Sequence, residues 1–136
     1  LIVVVIIGIL VALATPRIRR AMLRNEVISA RNAMANMYTT ARLSALQNNR
    51  SVLFQRNGNV VLITASPRLV AVGGSTIDTV GAVVDLNGKH GVTVSGATTS
   101  IAVNPKGLGG QAFTWTVQRA EFADTLQVSA FGRILN

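Results

Sequence analysis

The first fourteen residues constrain this chain more than any other stretch. Leu1, Ile2, Val3, Val4, Val5, Ile6, Ile7, Gly8, Ile9, Leu10, Val11, Ala12, Leu13 and Ala14 carry no charge and no hydrogen-bonding side chain. Thr15-Pro16 closes the run and Arg17-Ile18-Arg19-Arg20 follows at once. A helix that is apolar all round needs a bilayer or a large protein interior, and a chain of 136 residues offers no large interior. The run is short of the roughly 17–25 residues of a spanning helix. The expectation is therefore the downstream part of a membrane segment that starts before Leu1. Two other readings stay open: a buried core helix, or a secretory signal peptide with Ala12-Leu13-Ala14 as its cleavage site. Against cleavage, the helical composition continues past Pro16.

From Arg17 to Asn48 there is no Gly or Pro, and Ala, Arg, Met and Leu favour helix. Leu23, Val27, Ala30, Met34, Met37, Tyr38, Ala41 and Ala45 recur at three- and four-residue steps, which puts them on one face, the face expected to carry a globular domain. Pro16 either ends a helix or kinks a continuous one, because it has no N–H for the carbonyl four residues back. Residues 1–16 are thus read as the membrane part of the helix, 17–48 as its amphipathic part, and 49–136 as an antiparallel β domain.

The net charge of +8 is unevenly placed: residues 1–50 hold seven arginines against Glu26 alone, and the remainder holds six bases against four acids. Basicity therefore belongs to the helix. Arg17, Arg20, Arg24, Arg31 and Arg42 fall within an arc of roughly 60° beside the apolar face. One account is a solvated edge whose stems cover the core rim. The sharper one gives Arg17, Arg19, Arg20 and Arg24 contacts with lipid phosphates, at about 1 kcal/mol each near an anionic surface, and turns Arg31 and Arg42 toward neighbouring subunits. By the positive-inside rule, four arginines after the span would hold the β domain in the cytoplasm.

Beyond Asn49 the period becomes that of strands. Ser51–Gln55 and Val60–Thr64 flank Arg56-Asn57-Gly58-Asn59, a hairpin signal. Residues 72–78 read as loop with room for one strand. Val83–Leu86 reads as a strand before the turn Asn87-Gly88-Lys89-His90-Gly91. Val92–Ser95 and Ser100–Val103 surround Gly96-Ala97-Thr98-Thr99. Ala112–Gln118 alternates cleanly with Phe113, Trp115 and Val117 on one side, and Leu126–Ser129 alternates too. Short strands at this spacing point to an antiparallel sandwich.

No catalytic constellation stands out, so an enzyme is not expected. His90 reads as an exposed turn residue. No His, Asp and Glu spacing builds a metal site, and Asp78 and Asp85 fall short of the six to eight oxygens calcium takes. Gly107-Leu108-Gly109-Gly110 lacks the Lys-Ser/Thr of a phosphate loop. No cofactor is expected. The absence of cysteine removes disulfide and thiol chemistry.

Leu1–Pro16, with Gly8 in mid-run and Pro16 at its end, resembles the N-terminal segment of type IV pilins and type II secretion pseudopilins. Ala41-Arg42-Leu43-Ser44-Ala45 with Arg50-Ser51-Val52, Ile101–Gly107, and Val128–Ile134 with its Gly132-Arg133 pair resemble the GspH/FimT group. The resemblance implies a pilin-like α+β fold, with a long helix packed on an antiparallel β-sandwich. It implies a single-pass inner-membrane subunit with a periplasmic domain, an orientation that rests on this likeness and not on charge. A prepilin peptidase would act on an upstream segment, whose new N-terminus is methylated and whose Glu would lie two positions before Leu1. Partners would be other pilin-like subunits and inner-membrane lipid. The leading expectation is a minor subunit near the tip of a type II secretion pseudopilus. The alternative is a FimT-like minor pilin that captures DNA through a C-terminal Gly-Arg-x-Arg; here Leu135 stands at the second Arg, leaving Lys106, Arg119 and Arg133 as candidate DNA contacts. A secreted β domain, cut near Ala14, is the third.

Overall fold

The computed structural model describes residues 2–66 and 77–135, apart from the side chains of residues 9–14. One helix, α1 (Ile2–Asn48), runs 47 residues with Pro16 inside it. The helix does not stop at Pro16, so the reading in which that proline separates two helices does not hold. It ends at Asn48 in a Schellman closure. Asn49 takes a left-handed φ of 49°, its N–H donates to the Leu46 carbonyl, and the Arg50 N–H donates to that of Ala45.

Of the eight positions expected on the apolar face, Val27, Ala30, Met34, Tyr38, Ala41 and Ala45 are fully buried, while Leu23 and Met37 are half-buried. They pack on two antiparallel sheets. The first carries β1 (Val52–Asn57), β2 (Val60–Ala65), β3 (Asp78–Thr79), β4 (Val84–Asp85) and β6 (Ser100–Val103), with β1 between β2 and β6. Both β3 and β4 lie along the other edge of β2. The second sheet runs β5 (Thr93–Ser95), β7 (Phe113–Arg119), β8 (Phe122–Val128), β9 (Ile134–Leu135). Between helix and sheets sit Tyr38, Phe54, Phe113 and Trp115, with Phe54 stacked on Trp115 at 4.9 Å and Tyr38 edge-on to both phenylalanines at 5.6 Å. Such ring pairs add about 0.5–1.5 kcal/mol each beyond the area they bury.

The β1–β2 hairpin forms one residue later than its Asn-Gly signal places it. Asn57 pairs with Val60, so the loop is Gly58-Asn59, and Gly58 supplies the positive φ of 60° that the first loop position demands. The strands β5 and β6, adjacent in sequence, belong to different sheets, and residues 96–99 cross between them. Arg56 spans the same gap from β1. Its guanidinium donates to the carbonyls of Val94 and Gly96 and lies 5.8 Å from the centre of the Trp115 ring.

The strand expected over Val83–Leu86 shrinks to two residues because Asp85 acts as a helix cap. Its Oδ1 accepts the N–H groups of Asn87 and Gly88, which starts a single helical turn, α2 (Leu86–His90), with Leu86 buried beneath it. A helical turn thus replaces the plain turn expected at Asn87–Gly91. The Gly132-Arg133 pair lies in a tight turn between β8 and β9, closed by the Gly132 N–H donating to the Ser129 carbonyl. Of the loop read over 72–78, Asp78 belongs to β3, and residues 72–76 lie outside the described residues.

Candidate assembly surface

The β domain covers α1 only from about Val27 onward. Before it, Ile2, Val3, Val4, Val5, Ile6 and Ile7 stand 52–77% exposed. Burying such side chains is worth about 1.5–3 kcal/mol each, on the order of 10 kcal/mol for the six, so this surface must meet lipid or protein. Among the described residues no helix is long and apolar enough to cross a membrane.

A second surface continues from the first. Placing residues at 100° per step, the side of α1 turned away from the domain holds Ile18, Ala21, Ser29, Asn32, Asn36, Thr39, Thr40, Leu43 and Gln47, while Met22, Asn25, Ile28 and Leu46 border it beside groups of the domain; all of them are exposed. None is charged. A solvated helix face ordinarily carries charged and polar residues. Thr39 and Thr40 also turn their hydroxyls onto the helix's own carbonyls of Ala35 and Asn36 at 3.0 Å. The face is narrow in chemistry: small amides, hydroxyls and aliphatic groups. Its signal lay in the sequence as an absence of charge at one helical angle, and the reading of apolar positions alone passed over it.

The arginine arc behaves differently from its expectation. Instead of turning to neighbours, most of it follows β8 and its turns. Arg20 Nε lies 3.5 Å from Glu121 in an exposed pair, worth about 0–1 kcal/mol. Arg24 sits beside Phe122 and Asp124. Arg31 Nε donates to the Thr125 carbonyl at 3.4 Å. Arg42 reaches deepest: Nε donates to the Gly107 carbonyl at 2.8 Å and Nη1 to that of Gly132 at 2.9 Å. Arg31 and Arg42 are therefore tied to their own domain. Arg17, Arg19, Arg20 and Arg24 are exposed beyond the apolar segment.

Arg42 clamps two loops at the distal end of the helix. The first is held by Asn104, whose Oδ1 accepts the N–H groups of Lys106 and Leu108. The second is closed by Ser129, which accepts from Gly132 and, through Oγ, from Arg133. Gly132 is required there: its φ is 77°, and a Cβ would stand 3.1 Å from the Tyr38 hydroxyl and 3.3 Å from Arg42 Nε. The Tyr38 hydroxyl is buried and has no hydrogen-bond partner among the described residues. Burial pushes its pKa up, and the Arg42 guanidinium offsets part of that rise. The clamp leaves Phe131 74% exposed at the turn's tip.

The three candidate DNA contacts do not form one patch. Lys106 and Arg133 are exposed on the two clamped loops. Arg119 lies at the other end of the domain, where Nη1 donates to the His90 carbonyl at 2.5 Å. His90 is not an exposed turn residue: its side chain is 13% exposed, and Nδ1 lies 2.8 Å from Glu26 Oε2. The partner comes from 64 positions away in sequence, so nothing local announced it. Arg119 and Glu26, with Arg19, Met22, Leu23 and Asn25, line a groove on α1 just past the apolar segment. No group of three His, Asp or Glu side chains able to hold a metal occurs among the described residues.

A long N-terminal helix packed along two small antiparallel sheets is the fold of type IV pilins. Two crystal forms of the type IV minor pilin FimU from Pseudomonas aeruginosa share it. One aligns with a TM-score of 0.62 at 18% identity, over 82% of this chain and 88% of FimU. The other gives 0.57 at 17% identity, over 79% and 89%. No family profile matches the sequence, and no curated protein matches it either.

Proposed function

We propose that this protein is a minor structural subunit of a type IV pilin-class filament, held in the bacterial inner membrane by its N-terminal helix before assembly. The observation that carries the reading is the uncharged face of α1, which continues the exposed apolar segment for the length of the helix. In the bilayer, lipid covers Leu1–Ala14 and the domain lies outside. In a filament, helices of neighbouring subunits take the place of lipid, so the same apolar surface stays covered and extraction is not opposed by exposure to water. Gly8, Ala12 and Ala14 permit close helix approach. The uncharged face from Ile18 to Gln47 extends that packing beyond the membrane segment, where a buried Lys or Glu would demand a partner.

The likeness to a type IV minor pilin supports a pilus rather than a type II secretion pseudopilus; the assembly physics serves either. Deleting the gene and scoring surface pili beside secretion of exported proteins separates the two. The direct test of the carrying observation is Asn36→Lys in the full chain. Recovery in the sheared filament fraction should fall at least tenfold while the membrane-held pool is unchanged. Normal incorporation of this variant would remove the helix face from the interface.

A second reading, DNA capture, rests on Lys106 and Arg133 being brought to neighbouring loops. Two cations give a shallow salt dependence, with a log–log slope of about −2. An Arg133→Ala variant that binds duplex DNA as the wild type does would end that reading.

A further inference from the structure

Arg19 is the one arginine of α1 outside the arc that holds Arg17, Arg20, Arg24, Arg31 and Arg42. At 100° per residue, Arg17 and Arg19 stand about 100° to either side of Ile18. Ile18 is 56% exposed and begins the uncharged face of the helix. The two guanidinium groups therefore bracket that face where it leaves the apolar segment. In a coiled coil the flanking positions of the seam are placed in this way, and their charges set which partner is accepted.

Neither cation is neutralised by its own chain. Among the described residues, ion pairs join Arg20 to Glu121, Arg50 to Asp78 and His90 to Glu26, and Asp124 lies beside Arg24. Arg17 and Arg19 have no carboxylate within ion-pair distance there. Arg19 shares its groove with Glu26, but His90 already holds that carboxylate at 2.8 Å. While the face is open, solvent covers both guanidinium groups. A neighbouring helix laid over Ile18 displaces that solvent, and a guanidinium left there without an anion is costly.

A second copy of this chain is a poor source of the anion. In register it brings Arg17 and Arg19 again, so that four guanidinium groups surround one contact. Its α1 carries six arginines against Glu26 alone. Shifted by about 10 Å along the axis, it offers only Glu26, which comes with Arg24 two residues away and with His90 already bound to it.

We propose that Arg17 and Arg19 select the subunit that packs on this end of α1: a helix of a different protein, with carboxylates opposite the two arginines, and not a second copy of this chain. Attraction to that partner and repulsion between copies act in the same direction. The subunit then joins a filament among unlike neighbours and does not build one alone. The inference rests on the filament-subunit reading and names the chemistry of the neighbour.

The test sets the full chain in a zwitterionic detergent against its own charge-reversed form, Arg17→Glu/Arg19→Glu, with association read by analytical ultracentrifugation. At about 0.1 M salt the mixed pair should be tighter than wild type with itself by about tenfold or more, and at about 1 M, where the screening length falls to about 3 Å, the two should differ by less than about twofold. A mixed pair no tighter than the wild-type pair at the lower salt overturns the selection. In cells, the glutamate variant should fall about tenfold or more in the sheared filament fraction with its membrane-held pool unchanged, while Arg17→Lys/Arg19→Lys should stay within about twofold of wild type. Equal recovery of the glutamate variant overturns the selection, and so does loss of the lysine variant to the same degree, which would make the two positions structural. Absence of the wild-type chain from the filament fraction overturns the filament-subunit reading itself, a result distinct from incorporation without charge selection.

Discussion

The two halves of α1 share one backbone geometry and differ in what clothes them. From Val27 to Ala45 the helix supplies a face of small and medium side chains, with Ala30, Met34, Tyr38 and Ala41 at 0% exposure, and its own β domain closes over it. From Ile2 to Ile7 the side chains are more apolar, yet no part of the described chain covers them. Burial therefore does not track hydrophobicity along this helix. It tracks size and periodicity. Alanine at positions 30, 41 and 45 lets the sheets approach on one side. Isoleucine and valine on every side of the first half leave no direction in which a single small domain could cover them, so the cover must come from outside the chain.

The largest expected effect breaks the contrast directly. Ala41→Asp places an unpaired charge in the core, at a cost of more than about 4 kcal/mol. Against the 5–15 kcal/mol of a typical domain, that should leave little cooperative unfolding in circular dichroism melts of the full chain in detergent. Ile6→Asp should leave the melt of the β domain within a few degrees of wild type while reducing recovery in the membrane fraction, since a central Asp costs about 2.5–3.5 kcal/mol on insertion. If both variants melt alike, the two halves are not clothed differently.

How much of this was legible follows from which interactions are local in sequence. The helix face could be read because its positions repeat every three or four residues, and Phe113, Trp115 and Val117 could be read because a strand alternates. The first half of β8 was not, because Phe122-Ala-Asp-Thr carries polar residues at Asp124 and Thr125 and has no apolar alternation of its own; its pairing with β7 across the tight Ala120-Glu121 turn makes it a strand. The α2 turn was hidden because one carboxylate, Asp85, decides between strand and helix there. Arg42 and His90 were out of reach for a different reason. Their partners are Gly107, Gly132 and Glu26, and a carbonyl or a distant acid leaves no mark beside the residue that binds it. Charge on a helix flank was visible; whether it pointed to a neighbour or to its own sheet was not.

Arg42 sharpens the comparison at intermediate size, since it is where the clothed half of the helix fastens the distal loops. Removing it in Arg42→Ala deletes two charge-assisted bonds to part-buried carbonyls, an expected loss of about 2–4 kcal/mol. Arg42→Lys keeps the charge but not the fork that reaches both carbonyls, so it should recover less than half. Amide exchange at Ser129–Arg133 reads the effect locally: exchange should rise in both variants, while the helix amides around Ala30 stay protected. Equal protection of the turn in Arg42→Ala would mean that Ser129 alone holds it.

Tyr38 gives the smallest effect and tests the fit of the clothed half from inside. Its ring is fully buried among Phe54 and Phe113, but its hydroxyl lies against Gly109 and Gly132 without a partner among the described residues. A buried unpaired hydroxyl costs about 1–3 kcal/mol, part of which is recovered when the group is deleted without changing shape. Tyr38→Phe should therefore be neutral or stabilising by up to about 1 kcal/mol, read as an equal or higher urea midpoint at pH 8. The pH dependence has a fixed sign. Burial raises the folded pKa above the unfolded value near 10, so the folded state keeps its proton longer than the unfolded one. The associated stability is complete below pH 10 and declines as pH climbs from there through the folded pKa. Tyr38 is the only tyrosine in the chain, so phenolate absorbance reports it alone. Wild type should ionise late and lose stability above pH 10, and the Tyr38→Phe variant should lose less over the same interval. An ordinary titration midpoint would mean that water reaches the hydroxyl and that the helix face is less tightly closed there than at Ala41.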